Sequence, residues 1–99
     1  MKIKPGANIQ GLHPNMSAAL KIADSWWENF GDELVITSGL DGEHSAGSKH
    51  YSGRAVDCRT RNFTKEYTEK LAHRLSVELG CLFVVLNEAN HIHIHYNGY

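Results

Sequence analysis

Residues 91–96 read His-Ile-His-Ile-His-Tyr. Strict alternation of this kind has a period of two, which is the period of a β-strand. Ile92, Ile94 and Tyr96 then share a face that enters the core. His91, His93 and His95 share the opposite face. An imidazole is costly to bury without a partner and is a common metal ligand, so three in a row have no packing rationale. A metal-free structural domain would leave the row unexplained.

The rest of the pattern supplies what such a strand needs around it. Met16, Ala19, Leu20, Ala23, Trp26, Trp27 and Phe30 recur at helical spacing, with Asn15 as a candidate cap and Gly31 as a stop. Trp26, Trp27 and Phe30 read as core packing. Tyr67, Leu71, Leu75 and Leu79 describe a second amphipathic helix over residues 64–79, ended by Gly80. Strands are expected at residues 34–37, 54–58, 82–86 and 91–96, the last two joined by a hairpin over residues 87–90. Residues 1–15 carry Pro5, Gly6, Gly11 and Pro14 and read as an irregular arm. The order α, β, β, α, β, β predicts an α+β fold, two helices packed on a mostly antiparallel sheet.

At 99 residues the chain has room for one domain. Hydrophobic residues at 41% and charged residues at 21% are the profile of a folded chain. A formal net charge of −1 does not favour a nucleic-acid surface, and Arg59-Thr60-Arg61 reads as a solvated strand end. No apolar run reaches the length of a membrane span, and no signal-peptide core opens the chain, so synthesis in a cytoplasm is expected. In that compartment Cys58 and Cys81 are expected as free, buried thiols. A monomer is expected.

The second informative segment runs from Ser48 to Asp57, within and after a Gly- and Ser-rich stretch over residues 38–52. Stretches of that length in small domains are often functional. His50 and Asp57 lie seven positions apart, with Gly53 free to turn the chain between them. Alternation puts the small Ala55 on the face of Asp57, leaving room there. Two imidazoles and a carboxylate with a fourth position open is a catalytic rather than a structural zinc set. Alternation alone does not choose among His91, His93 and His95 for the third ligand.

Ser48-x-His50-x-x-Gly53-x-Ala55-x-Asp57 matches the complete signature of the D-Ala-D-Ala carboxypeptidase family of zinc peptidases. His91-x-His93 resembles the H-x-H element of the superfamily that joins those enzymes to lysostaphin-type peptidases and to the hedgehog signalling domain. The local likeness is strongest to hedgehog and to small bacterial and phage peptidases, over about residues 36–96. The resemblance implies one zinc per chain, held by His50, Asp57 and His93. It implies that His91 stands beside the metal, with His44 a second histidine near it. Glu88, three before His91, is the implied general base, although hedgehog has its glutamate at the position of Asn87. Ser48 and Tyr51 are candidate substrate contacts. Asp41 stands where the peptidases carry an oxyanion-steadying arginine. Asp41 and Glu43 are too few acids for the hedgehog calcium site, so no calcium is expected.

The resemblance thus leads to a zinc-dependent peptidase acting on the peptide stems of bacterial peptidoglycan. Glu88 would move the proton and His91 would steady the oxyanion. Without a signal, such a chain would be an endolysin-like enzyme that reaches the cell wall only when released. The alternative is a hedgehog-like zinc-binding module that recognises a partner and cuts nothing.

Overall fold

The computed structural model describes residues 1–41 and 47–98. The elements in chain order are β1 (Lys2–Ile3), α1 (Pro14–Asn29), β2 (Val35–Ser38), β3 (Ala55–Arg59), α2 (Lys65–Leu79), β4 (Phe83–Asn87) and β5 (His91–Tyr96). The five strands form one sheet in the order β1-β2-β3-β5-β4. β1 pairs with β2 in parallel, and every other pairing is antiparallel. Two helices on a mixed, mostly antiparallel sheet is the α+β fold that the sequence pattern called for. Among the described residues no helix is long and apolar enough to cross a membrane.

The core follows the alternation. Ile92, Ile94 and Tyr96 of β5 and Val56 and Cys58 of β3 are buried against Met16, Leu20, Ala23 and Trp27 of α1 and Leu71 and Leu75 of α2. Both helices therefore press on one face of the sheet. Trp27 is fully buried and its Nε1–H donates to the carbonyl of Arg59 at 3.2 Å, which satisfies the indole's only polar group. Phe30 and Phe63 meet edge to face beside it, at a centroid distance of 6.3 Å.

The helix ends differ in part from expectation. The cap of α1 is His13, whose Nδ1 accepts the N–H of Asn15 at 3.1 Å. Pro14 takes the first helical position, where its missing N–H costs nothing, so the start falls two residues before the Met16 of the apolar pattern. Gly31 follows α1 with φ +85°. Thr64 caps α2 by accepting from the N–H of Tyr67, and Gly80 ends it. Tyr67, expected on the apolar stripe, is 53% exposed and meets Phe30 only at the rim. Both cysteines are free; Cys58 is buried as expected, but Cys81 is exposed.

The residues before α1 are tied to the rest by backbone contacts. β1 adds a short parallel strand where an irregular arm was expected, with the Lys2 N–H donating to the carbonyl of Leu34 at 2.8 Å. Farther along, the N–H of Leu40 donates to the carbonyl of Asn8 and that of His13 to the carbonyl of Gly53, both at 2.8 Å. These residues thereby brace both sides of the segment that carries the Ser48–Asp57 motif.

Candidate metal centre

Two of the three implied ligands are placed by strand register. In the β3–β5 pairing Asp57 lies directly opposite His93, Ala55 opposite His95, and Arg59 opposite His91. The histidine face is the one turned away from the helices, and all three imidazoles are partly exposed there. His50 comes from the turn before β3. Its N–H donates to the Ser48 hydroxyl at 3.2 Å, and the Gly53 N–H closes the turn on the His50 carbonyl at 3.1 Å. Gly53 has φ +71°, and a Cβ there would collide with the carbonyl oxygen of Gly11. The glycine of the motif is therefore required twice, for backbone conformation and for close approach.

The turn delivers His50 to the sheet. Its Nε2 is 3.4 Å from Asp57 Oδ1, and His93 Nδ1 is 2.9 Å from the same oxygen. One ligand atom from each of the three residues lies within 4.8 Å of the others. Tetrahedral zinc with bonds near 2.0–2.2 Å sets neighbouring ligand atoms roughly 3.3–3.6 Å apart, so the trio fits such an ion with little movement. Two neutral imidazoles and a carboxylate are the donor chemistry a divalent transition metal takes.

The orientation of each imidazole is fixed from behind. His50 Nδ1–H donates to the Gly39 carbonyl at 2.8 Å, which turns Nε2 toward Asp57. His93 Nε2 lies 2.8 Å from His95 Nδ1. Burial works against the charge of Asp57, but hydrogen bonds from His50 and His93 and the nearby charges of His50 and His91 outweigh it and hold the carboxyl well below its usual range. Burial also opposes charging of His50, yet its bonds to Asp57 and Gly39 leave its proton affinity raised. Burial, then the charges of His93, Lys49 and His50, lower that of His95.

The other implied residues are brought to the site unequally. His91 Nε2 is 3.7 Å from Asp57 Oδ1, and its Nδ1 is 2.7 Å from Asn90 Oδ1, so it stands beside the trio. Ser48 supports the His50 backbone, and Tyr51 is 48% exposed on the same turn. Glu88 is exposed in the β4–β5 hairpin and lines a groove of about 540 Å³ with Thr60, Phe63, Lys65 and Thr68; His50, Asp57 and His93 do not border that groove. Asp41 is occupied elsewhere: its Oδ1 accepts the N–H of Asn8 at 2.6 Å and of Gly39 at 2.9 Å. His44 and Glu43 lie outside the described residues. The Gly39 carbonyl and the His95 imidazole were not anticipated as supports. A backbone carbonyl leaves no sequence signal, whereas alternation had already put His95 on the correct face.

Comparison with known proteins gives the family. The hedgehog amino-terminal signalling domain matches residues 14–95. Similar proteins include the Indian hedgehog protein of Gallus gallus, 39% identical over 79 residues, and the Sonic hedgehog protein of Danio rerio, 38% identical over 79 residues. Each alignment covers 78% of this chain and 18% of the relative, so the chain spans under a fifth of the length of the curated relatives it matches. These matches are to signalling proteins, and they overturn three expectations. A cell-wall hydrolase of endolysin type is not what the relatives are, and peptidoglycan is not supported as the partner. A cytoplasmic chain awaiting release onto a wall conflicts with a signalling domain, and where the sequence begins carries no weight in a chain that spans so little of its relatives. Over residues 14–95 the chain belongs to the hedgehog amino-terminal signalling domain family.

Proposed function

We propose that residues 1–99 act as one hedgehog-like domain that binds zinc and uses the face around the metal to recognise a protein partner, without peptidase activity. The observation that carries this reading is the signalling-domain match over residues 14–95, which includes all three ligands of the trio. His50, Asp57 and His93 would hold the ion, and His91 would border it. Zinc bound there would offer a partner's donor atom a Lewis-acidic position. The sheet face itself is open, with Leu86 of β4 exposed beside His93 in the strand register, an apolar contact next to a polar centre.

The likeness to D-Ala-D-Ala-type zinc peptidases rests on the motif, whereas the match to a signalling domain covers residues 14–95 and so favours recognition over hydrolysis. The test is direct. Zinc-loaded protein is incubated with a mixed peptide library, with and without chelator, and the products are weighed by mass spectrometry. In parallel it competes with the Indian hedgehog amino-terminal domain for hedgehog-responsive cells. Competition without cleavage is the expected result. Cleavage that disappears on chelation and in Glu88→Gln would replace the recognition module by a peptidase with Glu88 as its base, since general-base losses run about 100- to 10,000-fold.

A further inference from the structure

A neutral imidazole that binds a metal through one nitrogen carries its proton on the other, and that N–H needs an acceptor. The two histidines of the trio face Asp57 through different atoms. His50 uses Nε2, and its Nδ1–H rests on the Gly39 carbonyl at 2.8 Å. His93 uses Nδ1, and its Nε2 meets the Nδ1 of His95 at the same distance. The rings of His93 and His95 are 5.1 Å apart between centroids and inclined by 72°. One ligand is thus braced by backbone and the other by a side chain. The fold also makes room for that side chain: His95 is flanked in the sheet by Ala55 on β3 and Val84 on β4. The methyl of Ala55 leaves space for the ring, and neither neighbour competes for its nitrogen.

We propose that His95 is a positioning residue for the metal site. Its Nδ1 accepts the Nε2–H of His93 and fixes the tautomer that presents the His93 Nδ1 lone pair to the ion. The inference rests on the reading that the trio holds zinc. Without metal, His93 Nδ1–H donates to Asp57, and His95 Nδ1–H donates to His93 Nε2. Metal loading reverses the second bond. The His93 proton moves from Nδ1 to Nε2, and the His95 proton moves from Nδ1 to Nε2. The pair keeps its two protons throughout, so the exchange through solvent is balanced.

The experiment compares zinc affinity of the parent, His95→Ala and His95→Asn by competition with a chromogenic chelator. The asparagine Oδ1 stands close to where the histidine Nδ1 was and accepts a hydrogen bond. Losing such a support typically weakens metal binding about 10- to 100-fold. His95→Ala should show that loss, and His95→Asn should recover most of it. All three should melt cooperatively from a folded state in chelator, which separates the effect from unfolding. Nitrogen-15 spectra of the parent should show His95 changing from the Nδ1–H to the Nε2–H tautomer on zinc addition. An alanine variant that binds within about threefold of the parent overturns the inference. So does an asparagine variant as weak as the alanine one, or a His95 tautomer that zinc leaves unchanged. A parent that takes up no zinc overturns the metal reading itself, a separate and recognisable outcome.

Discussion

The Nδ1 of His50 donates to the carbonyl of Gly39, a residue eleven positions earlier and just past the end of β2. The same glycine has its N–H on Asp41, and a Cβ at residue 39 would run into the carbonyl oxygen of Asn8. Gly39→Ala should therefore push the early segment and the His50 support apart. The expected result is a loss of about 1–3 kcal/mol in stability, the usual range for overpacking, together with weaker zinc binding. Urea denaturation and a zinc titration on the same sample check both. Unchanged affinity in a destabilised variant would show that the carbonyl does not govern His50.

The trio predicts its own deletions. Purified protein should hold close to one zinc per chain, and His93→Ala should lose it. His50→Ala should do the same. Metal analysis after exhaustive dialysis decides the matter. Full occupancy in the double variant would move the site elsewhere, with His91 and His95 as the nearest imidazoles on that face.

Chelation should lower the melting temperature. The ion would tie a turn to two neighbouring strands, and binding confined to the folded state adds about 2.7 kcal/mol when zinc stands a hundredfold above its Kd. For a domain near 100 residues that corresponds to roughly 10–20 °C. An unchanged melting curve after verified metal removal contradicts the assignment.

The pH response should change sign with the metal. In the chelated protein His50 has its proton affinity raised above the ordinary 6.5, so its contribution is fully present below that pH and fades as pH rises through the raised value. Asp57 is depressed below its ordinary 3.8, so its contribution is present above that pH and fades as acid approaches its folded value. The metal-free domain should gain from this pair between about pH 4 and 6.5 and lose part of the gain above it. Zinc requires the unprotonated imidazole, so the loaded protein should become more stable over the same rise. Melting curves from pH 6.5 to 8, above the range in which the lowered His95 gains stability with rising pH, should slope in opposite directions with and without chelator. Parallel slopes would remove His50 from the metal.

Trp27 anchors the helix layer. Trp27→Ala should cost about 3–5 kcal/mol, a large share of what a domain this small possesses. Denaturant unfolding measures it. A loss under 1 kcal/mol would mean that α1 is not held by this side chain.

Much of this was legible in the chain because it is periodic. The alternation in residues 91–96 predicted both the buried and the histidine faces of β5, and the helical spacing found α1 and α2 within two residues. The start of α1 was missed because a histidine cap and a first-turn proline lie outside the apolar pattern. Tyr67 was misplaced because a four-residue spacing gives the stripe but not its margin. Contacts such as Asn8 to Asp41 join a backbone N–H to a carboxylate 33 residues away, and no local pattern announces them.

The pairing of Asp57 with His93 across adjacent strands makes this part of the site a matter of parity. A residue gained or lost inside β3 or β5 would turn one of them to the wrong side of the sheet and abolish the pair at a stroke. The same change in the 88–90 hairpin would leave both facing each other. Insertions and deletions in this domain are therefore harmless to the metal set in one place and all-or-none in another, so loop length can drift while these strands cannot.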